Sequence, residues 1–401
     1  MKKIYYSKAS FDSKEINAVI NVLKNPLTLM DGPSVKLFEK KIAKIFGKKF
    51  AIMVNSGSSA NLLAIQSLNL KKNSEIITPL LTFSTTVAPI YQSNLRPHFI
   101  DVVQNKYIAD VGEIKKAISK KTKAILIPNL LGNIANWNAI SRIAKKYKLK
   151  VIEDSADTIG YKINNSNTGK LSDIVTCSFY ASHIITGAGF GGIACFNDKK
   201  LYERAKLLRG WGRSSAFTQE NESIKSRFQS KLQGIDYDAK YIFNDFGYNF
   251  IPSEISAAFA LEQLKKLKNN LKKRQSNFLF IKNFINKKMK NYFFLPEEYK
   301  NVSTGWLAFP LLIKDGANID RRDLQIFLEK NLIQTRTIFS GNVLKQPMMN
   351  KKKYKLVKKN HYVADYVMKY GVLVGCHNSM TKSEVIYLCQ KIYEFVLKKS
   401  R

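Results

Sequence analysis

Up to about residue 200, short runs of β-branched and apolar residues alternate with segments whose apolar residues recur every three or four positions. Residues 124–128 (AILIP) and 150–154 (KVIED) have the pattern of buried strands, whereas 38–46 and 137–147 have helical spacing. Such alternation favours a mainly parallel sheet that is covered by helices. The second of these strands ends on acidic residues, where ligands bind in open α/β sheets.

The rest of the chain has a different pattern. Residues 210–245 are polar and irregular, which is typical of an excursion on the substrate side. A long helical pattern starts at Ser253. The last hundred residues predict a further set of elements: strands at 306–313, 333–339 and 371–376, a helix at 321–330 and a final helix from about Thr381. We therefore expect a large domain over 1–250, a long linking helix within 251–300 and a smaller α/β domain over 301–401.

The composition excludes some classes of protein. A hydrophobic content of 45% excludes disorder, and 66 Lys and Arg against 30 Asp and Glu give a net charge of +36. Only 11 of the basic residues are Arg, and the Lys residues are spread along the whole chain. Nucleic-acid recognition relies on Arg and on clustered charge. We interpret the charge as a solvated surface, with attraction of anionic substrates as an alternative.

Cysteines and leader patterns exclude further classes. The four cysteines, Cys177, Cys195, Cys376 and Cys389, have no metal-binding spacing, so neither zinc nor an iron–sulfur cluster is expected. The N-terminus has no apolar signal-peptide core. Residues 76–95 lack charge but contain proline and many Ser and Thr, which argues against a membrane helix. The sequence predicts a cytoplasmic protein without a metal site.

The segment NSGSSANLLAIQSL (55–68) is the first with candidate chemistry. Gly57 permits close backbone approach, and Ser58 lies at a helix N-terminus, where free N–H groups and the helix dipole favour a phosphate. A plain serine-capped helix has the same pattern, so this signal is weak alone.

A second segment, VIEDSADTIG (151–160), places a carboxylate at the end of a buried strand. Asp154 is suited to pairing with a protonated ring nitrogen, while Glu153 and Asp157 compete for that role. An acidic residue at a helix start is the alternative interpretation.

Two further segments contain a histidine and an asparagine. In CSFYASHIITGAGFGG (177–192), Ser178 ends a strand, His183 follows, and four glycines indicate a loop packed against something bulky. A lone histidine is more often a hydrogen-bonded core residue. In FGYNFIPSE (246–254), Asn249 is by itself a turn or cap residue.

In order and spacing, these segments resemble the nucleotide-sugar aminotransferases of PLP fold type I (the DegT/DnrJ/StrS type) over essentially the full chain. The resemblance implies a large, mainly parallel sheet domain that binds the cofactor, plus a smaller C-terminal α/β domain. It also implies cofactor roles: Gly57, Ser58 and Ser178 at the phosphate, Phe83 stacked on the ring, Asp154 at the pyridine nitrogen, Asp157 near the cofactor, and Asn249 reaching the phosphate from a second subunit. A homodimer with shared active sites follows from the last role.

One departure from the family pattern decides the expected reaction. Family aminotransferases have S-F-x-x-x-K, with the lysine forming the Schiff base to PLP. This chain has SFYASH, so His183 occupies the lysine position. The same substitution occurs in the PMP-dependent 3-dehydratases of NDP-4-keto-6-deoxyhexoses, which 128–140, 237–249 and 335–342 also resemble. We therefore expect C3 deoxygenation in deoxysugar and surface-polysaccharide biosynthesis, with His183 as the base.

The resemblance also bears on how the reaction cycle is completed. One group within this branch carries a [2Fe–2S] cluster on grouped cysteines, but residues 209–238 contain no cysteine. The other group uses L-glutamate as the amino donor and has no cluster, and we expect this chain to follow it. Expected substrate contacts are Trp211, Arg213, Arg336 and Asn342, with Arg336 at a glutamate carboxylate or a diphosphate.

Three alternatives remain open from the sequence. The first is a sugar aminotransferase that uses another lysine, such as Lys170 or Lys162. The second is a non-catalytic homologue, although its cofactor residues are intact. The third is a nucleic-acid binder, which only the net charge favours. His377, which follows a predicted strand, is interpreted as a structural histidine.

Overall fold

The computed structural model describes residues 2–217, 224–360 and 362–399, and these form alternating helices and strands. The helices are α1 (Ser13–Leu23), α2 (Pro33–Ile45), α3 (Gly57–Ser67), α4 (Ser84–Gln92), α5 (Val111–Ala117), α6 (Trp137–Lys146), α7 (Lys199–Arg209), α8 (Ile224–Phe228), α9 (Glu254–Met289), α10 (Arg321–Lys330), α11 (Val363–Tyr370) and α12 (Lys382–Lys399).

The strands are shorter, and many contain only two residues. They are β1 (Phe50–Val54), β2 (Glu75–Pro79), β3 (Arg96–Ile100), β4 (Val102–Val103), β5 (Ile108–Ala109), β6 (Thr122–Pro128), β7 (Lys150–Asp154), β8 (Lys162–Ile163), β9 (Ser166–Asn167), β10 (Ile174–Ser178), β11 (Gly192–Phe196), β12 (Ser230–Leu232), β13 (Ile235–Tyr237), β14 (Phe293–Phe294), β15 (Val302–Ser303), β16 (Phe309–Ile313), β17 (Lys355–Leu356) and β18 (Gly371–Val374).

Eight strands form one large sheet in the order β1-β11-β10-β7-β6-β2-β3-β17. All pairs from β10 to β17 are parallel, and β11 lies antiparallel to both of its neighbours. The sheet is buried between helices on both faces, as its nearly continuous apolar strands require. The register pairs Pro128 of β6 and Thr176 of β10 with Asp154 of β7. The carboxyl ends of these three strands therefore lie side by side.

The C-terminal part adds a three-stranded sheet, β14-β16-β18, which packs with α9, α10 and α12 around a second core. This core also includes Leu80, Leu81 and Phe99 beside the large sheet, and β17 pairs with β3 as its edge strand. The two parts therefore share apolar contacts and backbone hydrogen bonds. The domain boundaries expected from the sequence stay a prediction.

Most expected elements are present. The predicted strands at 124–128 and 150–154 fall on β6 and β7, the helix at 321–330 is α10, and the long helix expected from Ser253 is α9. Ser253 caps α9 by accepting a hydrogen bond from the N–H of Ile255 at 3.2 Å. Residues 210–245 hold only short elements, and 218–223 lie outside the described residues.

One expected strand, 333–339, is wrong. Only isolated bridges occur there: Ile333 pairs with Ile4, and Arg336 pairs with Leu373. Positive φ angles at Leu332 (60°) and Phe339 (46°) turn the chain away from a regular strand on both sides. The β-branched pattern of this segment reflects burial beside β18 rather than membership of a sheet.

Within the described residues, no helix is long and apolar enough to cross a membrane.

Candidate active site

A cavity of about 920 Å³ opens at the carboxyl ends of β7 and β10. It lies where the strands of a parallel sheet present their last residues and the following helices begin, the usual ligand position in such folds. Eight of the residues singled out from the sequence line it: Gly57, Ser58, Phe83, Asp154, Asp157, Ser178, His183 and Arg336. Segments far apart in the sequence therefore meet in one site.

Asp154, the last residue of β7, is almost fully buried at the floor of the cavity. Its Oδ2 accepts hydrogen bonds from Asn61 Nδ2 (2.9 Å) and Thr86 Oγ1 (3.0 Å), and its Oδ1 accepts one from the N–H of Ala156 (3.2 Å). Burial raises the pKa of Asp154, while these hydrogen bonds oppose the rise. No Lys, Arg or His of the described chain lies within ion-pair distance, so a cation from a ligand would complete the site.

The N-terminus of α3 forms one end of the cavity. Ser56 caps the helix by accepting a hydrogen bond from the N–H of Ser59 (3.1 Å), and the N–H groups of Gly57 and Ser58, in the first turn, have no partner within the helix. Gly57 is required by close packing, because a Cβ there would lie 2.5 Å from Ser178 Cβ. These free N–H groups beside the Ser178 hydroxyl have the geometry of an anion-binding helix end.

The glycine-rich loop packs against this end of the cavity, as the glycine density predicts. A Cβ at Gly192 would collide with the backbone of Ser56 and Gly57. Gly191 has a φ of +107°, which an L side chain rarely adopts. The loop therefore approaches the helix N-terminus backbone to backbone and leaves room for a ligand above it.

His183 lies beside a second buried carboxylate. Its Nε2 is 3.6 Å from Asp157 Oδ1, and Asp157 Oδ2 accepts a hydrogen bond from the N–H of Leu131 at 2.9 Å. Burial lowers the pKa of His183 to about 4, so its imidazole is neutral near pH 7. Burial, together with the nearby charge of Asp154, raises the pKa of Asp157 to about 7.

The opposite wall is formed by residues that are distant in sequence. Phe83, at the N-terminus of α4, is 53% exposed, and its ring is edge-on to that of Phe339, with centroids 6.3 Å apart. Arg336 also lines the cavity, and its Nη1 donates to the carbonyl of Thr335 at 2.7 Å. An exposed aromatic face inside a cavity is suited to a flat ring, and a guanidinium is suited to an anionic group.

Three of the residues expected at the site lie elsewhere on this chain. Trp211 and Arg213 line a separate cavity of about 280 Å³, with the Arg213 guanidinium 4.3 Å from the centre of the Trp211 ring. Asn249 pairs through its backbone with Gly210 at the edge of the same region. None of them lines the cavity that holds His183.

Other residues have structural partners instead of a place in the cavity. Asn342, expected to contact substrate, is buried; its Nδ2 donates to Asp365 (2.9 Å) and its Oδ1 caps a short helix. His377 Nε2 lies 3.1 Å from the carbonyl of Tyr5, consistent with a structural histidine. Lys162 and Lys170 are both exposed and outside the cavity.

The sequence interpretation missed some residues of the site. Asn61 is four positions after Gly57 on α3, so helical spacing alone would have placed it on the same face. Thr86 follows Phe83 within the first turn of α4. Tyr6 also lines the cavity, and no pattern near the N-terminus indicates this. Its position depends on contacts with the C-terminal part of the chain.

The cavity matches the chemical groups of pyridoxal or pyridoxamine phosphate. Free N–H groups at α3 and the Ser178 hydroxyl suit a phosphate, and a buried carboxylate without a cation suits a protonated pyridine nitrogen. The exposed Phe83 ring suits stacking. The Gly57 contact with Ser178 keeps the phosphate end free of side-chain bulk.

Comparisons with known proteins agree with this geometry. The model of the DegT/DnrJ/EryC1/StrS aminotransferase family matches residues 9–393. A GDP-4-keto-6-deoxy-D-mannose 3-dehydratase of Escherichia coli O55:H7 is 34% identical over 391 residues, covering 95% of this chain and 97% of the relative. Lipopolysaccharide biosynthesis protein RfbH of Salmonella typhimurium is 33% identical over 369 residues, covering 89% and 84%.

A solved structure extends the comparison to the fold and to ligands. It is a GDP-4-keto-6-deoxymannose-3-dehydratase with a trapped PLP–glutamate geminal diamine, and it superimposes with a TM-score of 0.86 at 30% identity. The match covers 96% of this chain and 99% of the relative. The fold expected from the sequence is confirmed.

The buried Asp157 generates a prediction about pH. Its folded-state pKa is raised, so its protonated form stabilises the fold and that contribution is lost as the pH rises toward about 7. Asp157→Asn keeps an acceptor for the Leu131 N–H but cannot ionise. The difference in unfolding free energy, cofactor-free variant minus cofactor-free wild type, should therefore become more positive as the pH rises from 4 to 8. Urea unfolding across this range measures the difference, and a constant difference would contradict the assignment.

Proposed function

Because this chain belongs to the DegT/DnrJ/EryC1/StrS aminotransferase family, we propose that it is a PMP-dependent 3-dehydratase of an NDP-4-keto-6-deoxyhexose. The observation that carries the proposal is His183, which lines the cavity at the family's lysine position. No lysine of the described chain lines that cavity, so no amine is available for the covalent link of an aminotransferase. The dehydratases among the relatives support the same reaction.

In this proposal, the cofactor is held without a covalent bond to the protein. Gly57, Ser58 and Ser178 bind the phosphate, Phe83 stacks on the ring, and Asp154 keeps the ring nitrogen protonated. When bound, PMP supplies an amine that reacts with the C4 ketone of the sugar and a conjugated ring that accepts electrons. The buried carboxylate is stabilised by the positive ring nitrogen, which compensates for its burial.

His183 acts as the base. Burial lowers the pKa of His183 to about 4, so its imidazole is neutral at the working pH and has a lone pair that accepts a proton, although it is a weaker base than an exposed histidine. Its Nε2 lies 3.6 Å from Asp157 Oδ1. An imidazolium that forms there is stabilised by Asp157 in its ionised form, which predominates only above its raised pKa of about 7. Asp157 in turn is held by the Leu131 N–H, which fixes its orientation.

Glutamate is the proposed amino donor. No cysteine lies between residues 196 and 375, so the chain lacks the grouped ligands that an iron–sulfur cluster needs. The solved relative with a PLP–glutamate adduct supports glutamate as the partner of the cofactor. The products are then a 3-deoxy sugar nucleotide and ammonia, with the deoxysugar destined for a surface polysaccharide.

A homodimer with shared sites is the remaining part of the proposal. Trp211, Arg213 and Asn249 lie outside the His183 cavity of their own chain, which is consistent with a role in the site of a partner. Tyr180 and Phe190 line the cavity yet are 60% and 70% exposed. Such large apolar side chains at a cavity mouth favour burial by another subunit. The cytoplasmic location and the absence of nucleic-acid binding stay predictions.

Replacing His183 tests the proposed base. His183→Asn keeps a polar side chain but removes the proton acceptor, so dehydration should fall by about 10²–10⁴-fold while PMP still binds. Sugar turnover and cofactor retention are measured on the same preparation. The control is His98→Asn, the same change at a buried histidine of β3 outside the cavity. Near wild-type dehydration by His183→Asn would make His183 a structural residue.

The amino donor is tested by the composition of the reaction. The purified protein should contain no stoichiometric iron and should turn over with L-glutamate alone, releasing one ammonia for each sugar deoxygenated. Metal analysis and an ammonia assay measure both quantities. A requirement for a flavin or ferredoxin reductase, without any effect of glutamate, would refute this part of the proposal.

The dimer is tested through the cofactor. If Asn249 contacts the phosphate of the partner's cofactor, Asn249→Ala should weaken PLP binding, and dilution to monomer should release the cofactor by mass action. Asn269→Ala, at an exposed position of α9, is the matched control and should leave binding unchanged. Sedimentation and PLP titration measure both effects. A monomer that binds PLP tightly would contradict the shared site.

A further inference from the structure

The N-terminal segment, residues 4–8, forms part of the cavity wall. The N–H of Ile4 donates to the carbonyl of Leu332, and the N–H of Gln334 donates to the carbonyl of Ile4, both at 2.8 Å. The carbonyl of Tyr5 lies 3.1 Å from His377 Nε2. The segment is therefore held by the C-terminal part of the chain along its length.

The same segment reaches both sides of the cavity. The Ser7 hydroxyl donates to the carbonyl of Ser182 at 2.7 Å, directly before His183. The N–H of Tyr6 donates to Gln334 Oε1 at 3.0 Å, two residues before Arg336. The segment thus connects the loop that carries the proposed base with the loop that carries the arginine.

Adjacent tyrosines of this segment face in different directions. Tyr5 is 44% exposed and does not line the cavity, whereas Tyr6 does. The Arg336 guanidinium lies 5.9 Å from the centre of the Tyr6 ring, within the range of a cation–π contact. In the described chain, the Tyr6 hydroxyl has no hydrogen-bond partner and Arg336 has no carboxylate partner.

The state of the Tyr6 hydroxyl follows from its surroundings. Burial, and then the charge of Asp157, raise the pKa of Tyr6 above its ordinary value. The hydroxyl therefore stays protonated at neutral pH and serves as a donor. Tyr6 and Arg336 both line the cavity, and within the described chain the only acceptor for either group is the Thr335 carbonyl, to which Arg336 Nη1 donates. Arg336 is exposed and keeps N–H donors beyond the one that Thr335 accepts, so an anionic ligand in the cavity would accept hydrogen bonds from both groups.

We propose that the Tyr6 hydroxyl and the Arg336 guanidinium form one anion-binding subsite for carboxylate or phosphate oxygens of a substrate. The guanidinium, 5.9 Å from the centre of the Tyr6 ring, supplies the positive charge, and the Tyr6 hydroxyl adds a hydrogen bond. The identity of the substrate rests on the proposed function. Its anionic group is either the carboxylate of L-glutamate or the diphosphate of the nucleotide sugar.

The experiment compares Tyr6→Phe with Tyr5→Phe, which remove one hydroxyl each from adjacent positions and keep both rings. Inorganic pyrophosphate is titrated into the PLP-loaded protein by calorimetry. Separately, the PLP absorbance is followed at increasing L-glutamate to give an apparent dissociation constant and a limiting rate. For Tyr6→Phe we expect the constant for at least one probe to rise about 10- to 100-fold, since a hydrogen bond to a charged group is lost. Tyr5→Phe should change neither.

The two probes identify the source of the anion. A rise confined to glutamate assigns the subsite to the amino-donor carboxylate, and a rise confined to pyrophosphate assigns it to the diphosphate. A rise for both indicates that the two substrates share it. Unchanged constants for both probes, or a change in the limiting rate alone, would overturn the proposal.

A double-mutant cycle tests whether the two residues act together. The double variant Arg336→Gln/Tyr6→Phe should bind pyrophosphate more tightly than expected from multiplying the two single-variant increases in dissociation constant, because both residues contact one ligand group. Independent losses would overturn the shared subsite. Pyrophosphate binding is measured without turnover. If the protein bound pyrophosphate through Tyr6 but did not deoxygenate sugars, the proposed function would be contradicted and the anion-binding subsite would not.

Discussion

The site depends on a buried carboxylate that has no cation from the described chain. Asp154 ends β7 with its carboxylate held by Asn61, Thr86 and the N–H of Ala156, so its position is fixed before any ligand binds. Hydrogen bonds alone do not offset the loss of water, because burial still raises its pKa. A ligand with a protonated ring nitrogen removes that penalty. The register of β6, β7 and β10 makes this the point at which the neighbouring strand ends converge.

Histidine in place of lysine changes how a cofactor is retained. A lysine would hold PLP by a covalent bond, whereas His183 offers only a neutral ring beside Asp157. In the proposed function, retention then rests on non-covalent groups, chiefly the N–H groups at the start of α3 and the carboxylate of Asp154. Each such contact contributes modestly to the free energy of cofactor binding. The proposed contact from Asn249 of a second subunit would therefore supply a larger share of that energy here than in an enzyme with a covalent link. In the proposed function, the same substitution leaves His183 free to act as a base toward the sugar, which a lysine bonded to the cofactor would not be.

The parts of the fold that follow from local patterns were predictable from the sequence. The helix from Ser253 has a serine cap and sustained periodicity, and the strands at 124–128 and 150–154 are apolar because both faces are covered. The segment 333–339 has strand-like composition, but its partners are single residues distant in the chain, which composition does not encode. For the same reason Tyr6 was missed, and Trp211 was expected in a cavity that it does not line. Sequence motifs were sufficient to predict individual site residues such as Asp154 and His183. Contacts between segments that are distant in the sequence could be identified only from the structure.

A series of side-chain and backbone hydrogen bonds connects the C-terminal part of the chain to the charges of the site. Arg274 on α9 is fully buried and donates to the carbonyl of Leu307 at 3.0 Å. The N–H of Leu307 donates to the carbonyl of Leu131 at 2.7 Å, and the N–H of Leu131 donates to Asp157. This series places the Arg274 cation near Asp157 and His183: burial raises the pKa of Asp157 and the cation opposes that rise, whereas burial lowers the pKa of His183 and the cation adds to that decrease. Burial and the long helix both favour the neutral imidazole, and the long helix also favours the ionised form of Asp157 against the effect of burial, so the chemistry of the large sheet depends on how the C-terminal part packs against it.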